Sequence, residues 1–318
     1  MNLKILVTGG AGFIGSEFVK QVLPIASEKI TVIDSLNYAG SLANLQEVIS
    51  EIEFINLDIR NRNQIQELFT KNNFEKVINF AAETHVDNSI SGPRVFFETN
   101  ILGTSNLLEA SLATGVELFF QISTDEVYGS IRDGFHFETS EMNPSSPYAA
   151  SKASAEMIVN SFKQTYKLGT LVARCSNNYG PNQFPEKFIP YSIKSLISGN
   201  KVQLYGTGLN VREWIHVTDT CNALVKILLT GKIGSVYNVS SGDFKNNIEV
   251  FQELCTIMGI SHDRFEFVND RAGHDFRYAM DSSKIRNELG WAPSTNFREG
   301  LRKTVEWYLF NQNRFQKW

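Results

Sequence analysis

Residues 4–15 read KILVTGGAGFIG, an apolar run that passes directly into closely spaced glycines. The apolar part predicts a buried strand, and residues 16–23 continue as an amphipathic helix. Glycine suits the turn between them because the backbone must approach a pyrophosphate closely, while the helix N-terminus attracts negative charge. The stretch therefore predicts a strand–turn–helix unit that binds a dinucleotide. The predicted contacts of this unit are Gly9, Gly12, Phe13, Ile14 and Gly15.

The next predicted strand ends in an acidic residue. Residues 30–33 are apolar or β-branched, and Asp34 follows them, 19 residues beyond Gly15. A carboxylate at this place accepts hydrogen bonds from a ribose 2′-OH and repels a 2′-phosphate, which predicts NAD rather than NADP. The predicted cofactor contacts continue through Ser35, Leu36 and Asn37.

Strand and helix patterns then alternate. Residues 53–57 and 76–80 read as strands on either side of a helix over 64–71. This alternation predicts an α/β fold built on a Rossmann-type doubly wound parallel sheet. Ligands of such sheets bind outside the carboxyl ends of the strands, so we expect the residues there to contact the cofactor. These residues are Asp58, Ile59, Phe80, Ala81, Ala82 and Thr84. Asp58 also fits a cap of the following helix, and the two roles are compatible.

The composition is that of an ordinary globular protein, with 318 residues of which 42% are hydrophobic and 20% charged. A net charge of −4 argues against nucleic acid and anionic membrane partners, and no apolar run approaches the roughly twenty residues of a membrane span. Residues 1–4 lead directly into a strand, so we expect no signal peptide. Three distant cysteines and five histidines without ligand spacing predict a reducing, cytoplasmic location and no metal site.

The candidate catalytic groups lie in residues 118–152. An apolar strand over 118–122 leads into Ser123-Thr124-Asp125-Glu126, and a helix that starts near Pro147 carries Tyr148 and Lys152 on one face. A phenol beside an ammonium group is a base for a sugar hydroxyl, because the cation favours the phenolate. The same residues also fit a solvated acidic turn and an ordinary amphipathic helix start.

Further motifs extend this pattern over essentially the whole chain. They are AAETHVD (81–87), STDEVYG (123–129), RCSNNYGP (174–181), PEK (185–187), REW (212–214) and RAGHD (271–275). With the glycine turn and the Tyr/Lys pair, these motifs make the chain resemble the extended short-chain dehydrogenase/reductase superfamily. Within it the chain is most similar to nucleoside-diphosphate-glucose 4,6-dehydratases. Thr-Asp-Glu is the specific part, because the related epimerases and decarboxylases lack the acid pair.

The resemblance implies that a nucleoside-diphosphate glucose, dTDP-glucose foremost, is converted to its 4-keto-6-deoxy form and water, with tightly bound NAD as a transient hydride carrier. Tyr148 would take the 4-OH proton, and Lys152 would lower the pKa of that phenol. Glu126 would remove the C5 proton, and protonated Asp125 would give its proton to the departing C6 hydroxyl. Thr124 would hydrogen-bond to O4.

The resemblance also implies binding residues in both halves of the chain. On the cofactor side it adds Thr99, Asn178, Tyr148 and Lys152. On the substrate side it implies Thr84, Thr124, Asn177, Glu186, Lys187, Gln203, Tyr205, Arg212, Asn247, Arg271 and His274. Lys187 and the arginines would meet a diphosphate, although Glu186-Lys187 fits a solvated ion pair equally well on composition alone.

The two functions predict two interleaved domains. The NAD-binding Rossmann domain would comprise residues 1–175 and about 213–237, and a smaller α/β sugar-nucleotide-binding domain residues 176–212 and 238–318. Residues 177–181 read as a loop by composition. Helices near 92–113 and over 147–166 resemble the pair that forms an intermolecular four-helix bundle in the superfamily, which predicts a homodimer.

Several alternatives stay open on the sequence. A 4-epimerase or a decarboxylase needs the Tyr/Lys pair but not the acid pair, and a non-catalytic NAD-binding regulator needs neither. UDP-glucose competes with dTDP-glucose, since one methyl group is worth only about 1–3 kcal/mol in an apolar pocket. The chain departs from the usual pattern of the family at Thr84, Asn88, Asn182, Ala272 and Phe276, and its segment 129–145 is short.

Overall fold

Strands and helices alternate along the described part of the chain, residues 4–26 and 28–315 of a computed structural model. The strands are β1 (Ile5–Thr8), β2 (Ile30–Asp34), β3 (Ile52–Asn56), β4 (Lys76–Asn79), β5 (Leu118–Thr124), β6 (Thr170–Cys175), β7 (Asn177–Tyr179), β8 (Val202–Tyr205), β9 (Val211–His216), β10 (Val236–Val239), β11 (Phe244–Asn246) and β12 (Phe265–Val268). The α-helices are α1 (Phe13–Val22), α2 (Arg62–Asn72), α3 (Val86–Ser91), α4 (Arg94–Phe96), α5 (Thr104–Thr114), α6 (Pro147–Tyr166), α7 (Phe188–Ile197), α8 (Val217–Thr230), α9 (Asn247–Met258), α10 (Ser283–Leu289), α11 (Phe297–Phe310) and α12 (Gln312–Phe315). None of the helices described is long and apolar enough to cross a membrane.

A parallel sheet forms the centre of the molecule. Within the described residues it has seven strands in the order β10-β6-β5-β4-β1-β2-β3. Every residue of β1, β2, β5 and β6 is buried, as expected for a sheet with helices on both faces. Side chains of β1 alternate between the faces: Ile5 and Val7 join the core under α1 and α8, and Leu6 joins the core under α2, α5 and α6. The predicted doubly wound Rossmann sheet is confirmed.

The order of the strands opens a crevice beside β1. That strand pairs in parallel with β2 on one side and with β4 on the other, so the direction of the strand order reverses there. The loops after β1 and β4 therefore leave the carboxyl edge of the sheet in opposite directions and leave space for a ligand between them.

Two smaller sheets lie outside the central one, with the orders β11-β9-β7 and β12-β8 among the described residues. Their shared core includes Trp214, Phe251 and Phe297, from β9, α9 and α11. The prediction of a loop over 177–181 is wrong at its start, because residues 177–179 form β7, which pairs in parallel with β9. A three-residue strand has little signal of its own and depends on a distant partner.

The limits of the two domains stay a prediction. The pairing of the strands suggests different limits for the segment predicted to return to the central sheet. Strand β9 belongs to a smaller sheet, so the return to the central sheet begins with α8, which packs on α1. Strand β10 pairs with β6 and reaches Val239, beyond the predicted limit of about 237.

The helix predicted near 92–113 is interrupted by a π-helix over Phe97–Gly103, between α4 and α5. Asn100 lies in that segment and is buried. Its side chain accepts from the Glu83 amide at 2.8 Å and donates to the Ser151 hydroxyl at 2.8 Å. The π-helical segment thus ties the loop after β4 to the helix that carries Tyr148, as such segments often do near functional sites.

Candidate active site

The glycine turn after β1 packs directly against the loop after β4. Gly9 has a φ of +66°, and a Cβ there would lie 2.6 Å from the Ala81 nitrogen. A Cβ on Gly15 would lie 2.3 Å from the carbonyl oxygen of Gly9. Both positions therefore require glycine, since the backbone segments approach too closely for a side chain.

The turn presents unpaired backbone amides to the cleft. Helix α1 begins after Gly12 without a side-chain cap, so its first N–H groups have no partner within the helix. Gly12, Phe13, Ile14 and Gly15 line the cleft at this point. A ten-residue helix with free N-terminal amides fits a pyrophosphate, so this end of the cleft suits the dinucleotide.

Nearly all of the predicted cofactor contacts line this one cleft. Besides the glycine turn they are Asp34, Ser35, Asn37, Asp58, Ile59, Phe80, Ala81, Ala82, Thr84, Thr99, Tyr148, Lys152 and Asn178. Leu36 is the exception, because its side chain packs against the hydrophobic core under α1.

The two acidic residues at the adenosine end hold local structure as well. One carboxylate oxygen of Asp34 accepts from the Ala11 amide at 3.0 Å and the other from the Leu36 amide at 2.9 Å. Each oxygen keeps a second lone pair for a ribose hydroxyl. Asp58 accepts from Arg60, with a closest distance of 2.6 Å, and Asn61 rather than Asp58 caps α2.

The acid pair follows β5 in a tight 3₁₀ turn over Asp125–Tyr128. The Thr124 hydroxyl donates to the Asp125 carboxylate at 3.1 Å and accepts from the Glu126 amide at 3.3 Å. Asp125 is 3% exposed, and its second carboxylate oxygen has no hydrogen-bond partner among the described residues. The turn therefore places two carboxyl groups in the cleft instead of in solvent, which excludes the alternative of a solvated turn.

The two carboxyl groups experience different environments. Burial, together with repulsion from Glu126 and Glu213, raises the pKa of Asp125 well above its usual range. Burial also raises the pKa of Glu126, but the nearby cations Arg271, Lys187 and Arg212 oppose that rise. The pKa of Asp125 is therefore raised more strongly than that of Glu126, and a pair whose pKa values differ in this way suits a division into acid and base.

A buried ion pair supports the turn from behind. Arg174 on β6 donates to the Glu156 carboxylate of α6, with a closest distance of 2.6 Å, and to the Tyr128 hydroxyl at 2.7 Å. The Ser123 hydroxyl also donates to Glu156. Residues at both ends of the acidic turn are thus fixed to one guanidinium–carboxylate pair, which limits the positions that the acid pair can take.

Tyr148 lies in the first turn of α6, where the Ser146 side chain caps the helix by accepting from the Ala149 amide at 3.1 Å. The expectation that Lys152 lowers the pKa of this phenol stays a prediction, because burial and neighbouring carboxylates dominate the shift here. Burial, then repulsion from Glu126, raises the pKa of Tyr148 well above its usual range, and a hydrogen bond with Thr124 opposes the rise.

Lys152 donates from Nζ to the carbonyl oxygen of Ile122 at 2.7 Å. Burial lowers the pKa of Lys152 to about 8, although the Glu156 carboxylate opposes that change. The ammonium group is therefore held in place by the backbone of β5, and both it and the phenol face the cleft. A positive charge added to the cleft would favour the phenolate.

Five of the predicted substrate contacts line the same cleft: Thr84, Thr124, Asn177, Glu186 and Lys187. Lys187 donates from Nζ to the Thr84 carbonyl oxygen at 2.7 Å, and burial lowers its pKa while Glu186 opposes that change. The side-chain oxygens of Asn177 and Asn178 are buried without a hydrogen-bond partner among the described residues. Polar atoms in this state fit a polar ligand.

The structure does not bring the other predicted substrate contacts to the lining of the cleft. Arg271 and Arg212 act on Glu126 only through their charge. The Arg212 guanidinium donates to the backbone carbonyl oxygens of Val211, Asp275 and Phe276. The remaining ones are Gln203, Tyr205, His274 and Asn247. Gln203 donates to Glu266, Tyr205 donates to Asp87, and His274 contacts Asp270. Asn247 is the first residue of α9.

Sequence reasoning missed several residues that line the cleft. They include Arg60, Cys175, Ser176, Gln183 and Phe184. Arg60 follows β3, Cys175 is the last residue of β6 and Ser176 follows it, so the rule that ligands bind at strand ends could have included these three. Gln183 and Phe184 carry no such signal, because they reach the cleft from a loop. Asn182, where the family commonly has tyrosine, adopts a φ of +67°, which asparagine tolerates better.

The chain is similar to known proteins over nearly all of its length. The sequence profile of the family described as GDP-mannose 4,6 dehydratase matches residues 6–304. The low-salt glycan biosynthesis protein Agl12 of Haloferax volcanii is 45% identical over 309 residues, 96% of this chain and 99% of that protein. A dTDP-glucose 4,6-dehydratase of Neisseria meningitidis serogroup B is 42% identical over 337 residues, 98% of this chain and 95% of that protein. The crystal structure of the dTDP-glucose 4,6-dehydratase DesIV from Streptomyces venezuelae, solved with NAD bound, matches with a TM-score of 0.97 at 42% identity, over 99% of each chain.

Proposed function

Because the chain belongs to the nucleotide-sugar 4,6-dehydratases of the extended short-chain dehydrogenase/reductase superfamily, we propose that it converts dTDP-glucose to dTDP-4-keto-6-deoxyglucose and water. The observation that carries this proposal is the buried pair Asp125 and Glu126 in the same cleft as Tyr148 and Lys152. Epimerisation at C4 needs only the last two residues, whereas removal of water from C5 and C6 needs an acid and a base.

NAD is the cofactor, and when bound it would supply a hydride acceptor for C4 and a hydride donor for C6 of the sugar. The glycine turn and the amides of α1 would hold its pyrophosphate, and Asp34 would hold the adenosine ribose. The fit rests on free helix amides, on a turn with no room for side chains, and on unpaired amide oxygens deeper in the cleft.

We assign the proton transfers to three residues. Tyr148 accepts the proton of the 4-hydroxyl, and Thr124, which lines the same cleft, holds O4. Glu126 removes the C5 proton once C4 is a carbonyl, because C5–H is acidic only beside that carbonyl, and it returns a proton to C5 when C6 receives the hydride. Asp125, whose raised pKa keeps it protonated, gives its proton to the departing C6 hydroxyl. Lys152 holds the cofactor ribose and supplies positive charge near the phenol.

We further propose a homodimer built on the helices that carry Leu102 and Met157. These apolar side chains lie on the π-helical segment and on α6, and each is 58% exposed. Exposed apolar side chains on two adjacent helices are typical of a surface that a second copy of the chain would bury. The three cysteines are unpaired and buried, which supports the proposal of a reducing, cytoplasmic location. The product has the 6-deoxy-4-keto form from which dTDP-rhamnose is made, and we propose that deoxysugar pathway.

The test is an assay of two substrates with the purified protein. Incubation with dTDP-glucose and, separately, with UDP-glucose is followed by the absorbance that alkali induces in 4-keto sugars. We expect signal from dTDP-glucose at the lower concentration. Formation of the C4 epimer without keto product would replace the proposal with an epimerase, and a higher kcat/KM with UDP-glucose would change the substrate.

A further inference from the structure

A short segment crosses the cofactor cleft. Residues 35–41, which we name the strap, connect β2 to the 3₁₀ helix over Leu42–Leu45. At its start the Leu36 amide donates to Asp34 at 2.9 Å, and Leu36 has a φ of +50°, which is uncommon for a residue with a side chain. At its end the Ser41 amide donates to the Ala11 carbonyl oxygen at 3.0 Å. The start of the strap is therefore fixed to the end of β2, and its end is fixed to the glycine turn.

The middle of the strap reaches both walls of the cleft. Asn37 donates from Nδ2 to the Glu83 carboxylate at 2.9 Å, in the loop after β4. The Tyr38 hydroxyl donates to the Glu186 carboxylate at 3.3 Å, and the ring of Tyr38 meets that of Phe184 edge-on at 5.4 Å. Glu186 and Phe184 lie just before α7, on the substrate side. The strap thus joins the central sheet to the smaller part of the molecule across the cleft.

The contacts at the middle of the strap are few and partly exposed to solvent, so they can break without disturbing the rest of the fold. Asn37 is exposed and Tyr38 is half-buried, and the hydrogen bonds of both side chains lie near the surface. Burial and the neighbouring carboxylates Glu186 and Glu83 raise the pKa of Tyr38, so the phenol stays protonated and keeps donating. Segments held by few partly exposed contacts between firmly fixed ends open locally without unfolding of the domain.

We infer that Tyr38 and Asn37 retain the NAD cofactor by holding the strap closed over it. Ser35, Asn37, Ala39 and Gly40 of the strap line the same cleft as the glycine turn, so a dinucleotide bound there lies beneath them. The inference rests on the proposed function, in which the hydride returns to the sugar and NAD has no need to leave between turnovers. Opening of the strap then sets the rate of NAD exchange without limiting catalysis.

The contacts could instead serve only to join the smaller part of the molecule to the sheet. The two roles differ in what they control. A purely structural contact changes the melting temperature and leaves the exchange of NAD unchanged. A closing contact changes exchange in both directions, because NAD must pass the strap on entry as well as on exit. An ordinary NAD contact would change the dissociation rate alone.

The experiment measures exchange of radiolabelled NAD on the holoprotein without sugar substrate. Tyr38→Phe removes one hydrogen bond and keeps the ring contact, so we expect both dissociation and association of NAD to be about threefold faster. Tyr38→Ala removes both, and we expect dissociation about tenfold or more faster, with a faster association as well. Asn37→Ala is expected to resemble Tyr38→Phe. The control is Phe267→Ala, which removes a half-exposed aromatic ring on β12, in the two-stranded sheet outside the central one.

Hydrogen exchange gives a second readout that does not need cofactor. In Tyr38→Ala the amide of Leu36 is expected to exchange faster, while amides of β1 and β4 keep their protection. If Tyr38→Ala releases NAD within twofold of the wild-type rate, the strap has only a structural role and the inference is overturned. That result would leave the dTDP-glucose assay unaffected, so failure of the strap and failure of the proposed activity are distinguishable.

Discussion

Asp125 and Glu126 are neighbours in sequence but have opposite tasks in the proposed reaction, and their surroundings account for the difference. Asp125 faces buried carboxylates, whereas three cations act on Glu126. Adjacent residues in a 3₁₀ turn point in different directions, so the turn itself separates the two environments. In the proposed reaction these two neighbouring carboxyl groups would supply both the acid and the base.

The base can be tested by replacing Glu126 with glutamine, which keeps the shape of the side chain and removes its basicity. We expect dehydration to fall by roughly 10²–10⁴-fold, because positioned acid–base groups contribute about that much. Exchange of the C5 hydrogen with deuterated solvent should disappear, while NAD and substrate still bind. The contrasting variant is Tyr148→Phe, which should block the earlier oxidation and remove any transient absorbance of reduced nicotinamide. Near-normal turnover in Glu126→Gln would remove the acid pair from the mechanism.

The acid can be tested through the pH dependence of stability. The folded-state pKa of Asp125 lies well above the ordinary value of 3.8, so the folded state holds its proton more tightly than the unfolded chain does. This contribution to stability is present below pH 3.8 and is lost as pH rises through the raised pKa. Asp125→Asn carries no titrating group at this position. We therefore expect its free energy of unfolding to exceed that of the wild type at pH 8 by more than at pH 5, while dehydration is lost.

A constant difference between the two proteins at both pH values would contradict the raised pKa. Urea unfolding at several pH values is the measurement. The control is Glu117→Gln, which makes the corresponding acid-to-amide change at an exposed residue.

At the scale of elements, the glycine turn packs so closely on the loop after β4 that the backbone of Ala81 leaves no room for a side chain at Gly9. Substitutions at Gly9 and Gly115 can distinguish the effect of this close approach on stability from the effect of backbone strain. Both have positive φ, +66° and +74°, but a Cβ on Gly115 meets nothing within 4 Å. We expect Gly115→Ala to cost about 1–2 kcal/mol, the strain of the left-handed conformation alone.

Gly9→Ala should lower the free energy of unfolding by clearly more and should abolish NAD binding, because the added Cβ would overlap the backbone of Ala81. Denaturant unfolding and a binding titration measure the two effects. Equal losses in the two variants would mean that the turn relaxes and that its close approach to β4 is not essential.

At the scale of the whole molecule, the proposed dimer depends on apolar side chains along two helices. Replacing both Leu102 and Met157 with glutamate would place two charges against the partner, and burying unpaired charge is costly. We expect this double variant to sediment as a monomer at micromolar concentration. Phe310→Glu is the control, because Phe310 is 91% exposed at the end of α11, outside both helices. A wild-type protein that sediments as a monomer would refute the dimer itself.

The sequence predicted the central sheet well because its signals are local. The run before Gly9, the acidic end of β2 and the alternation of strands all depend on neighbours within one supersecondary unit. What escaped prediction depends on distant pairs. Strand β7 needs β9, and Tyr38 meets Glu186 from 148 positions away. The direction of the pKa shift of Tyr148 also escaped, since it follows from burial, which the sequence does not specify.

The position of β10 has a consequence for synthesis of the protein. Strand β6 pairs with β5 on one side and with β10 on the other, and residues 176–235 separate β6 from β10 in the chain. While a ribosome translates that segment, the outer edge of β6 has no partner from the nascent chain. Open strand edges accept strands from other molecules. Translation that pauses within this segment should therefore favour aggregation on polysomes, even where the finished protein resists heat.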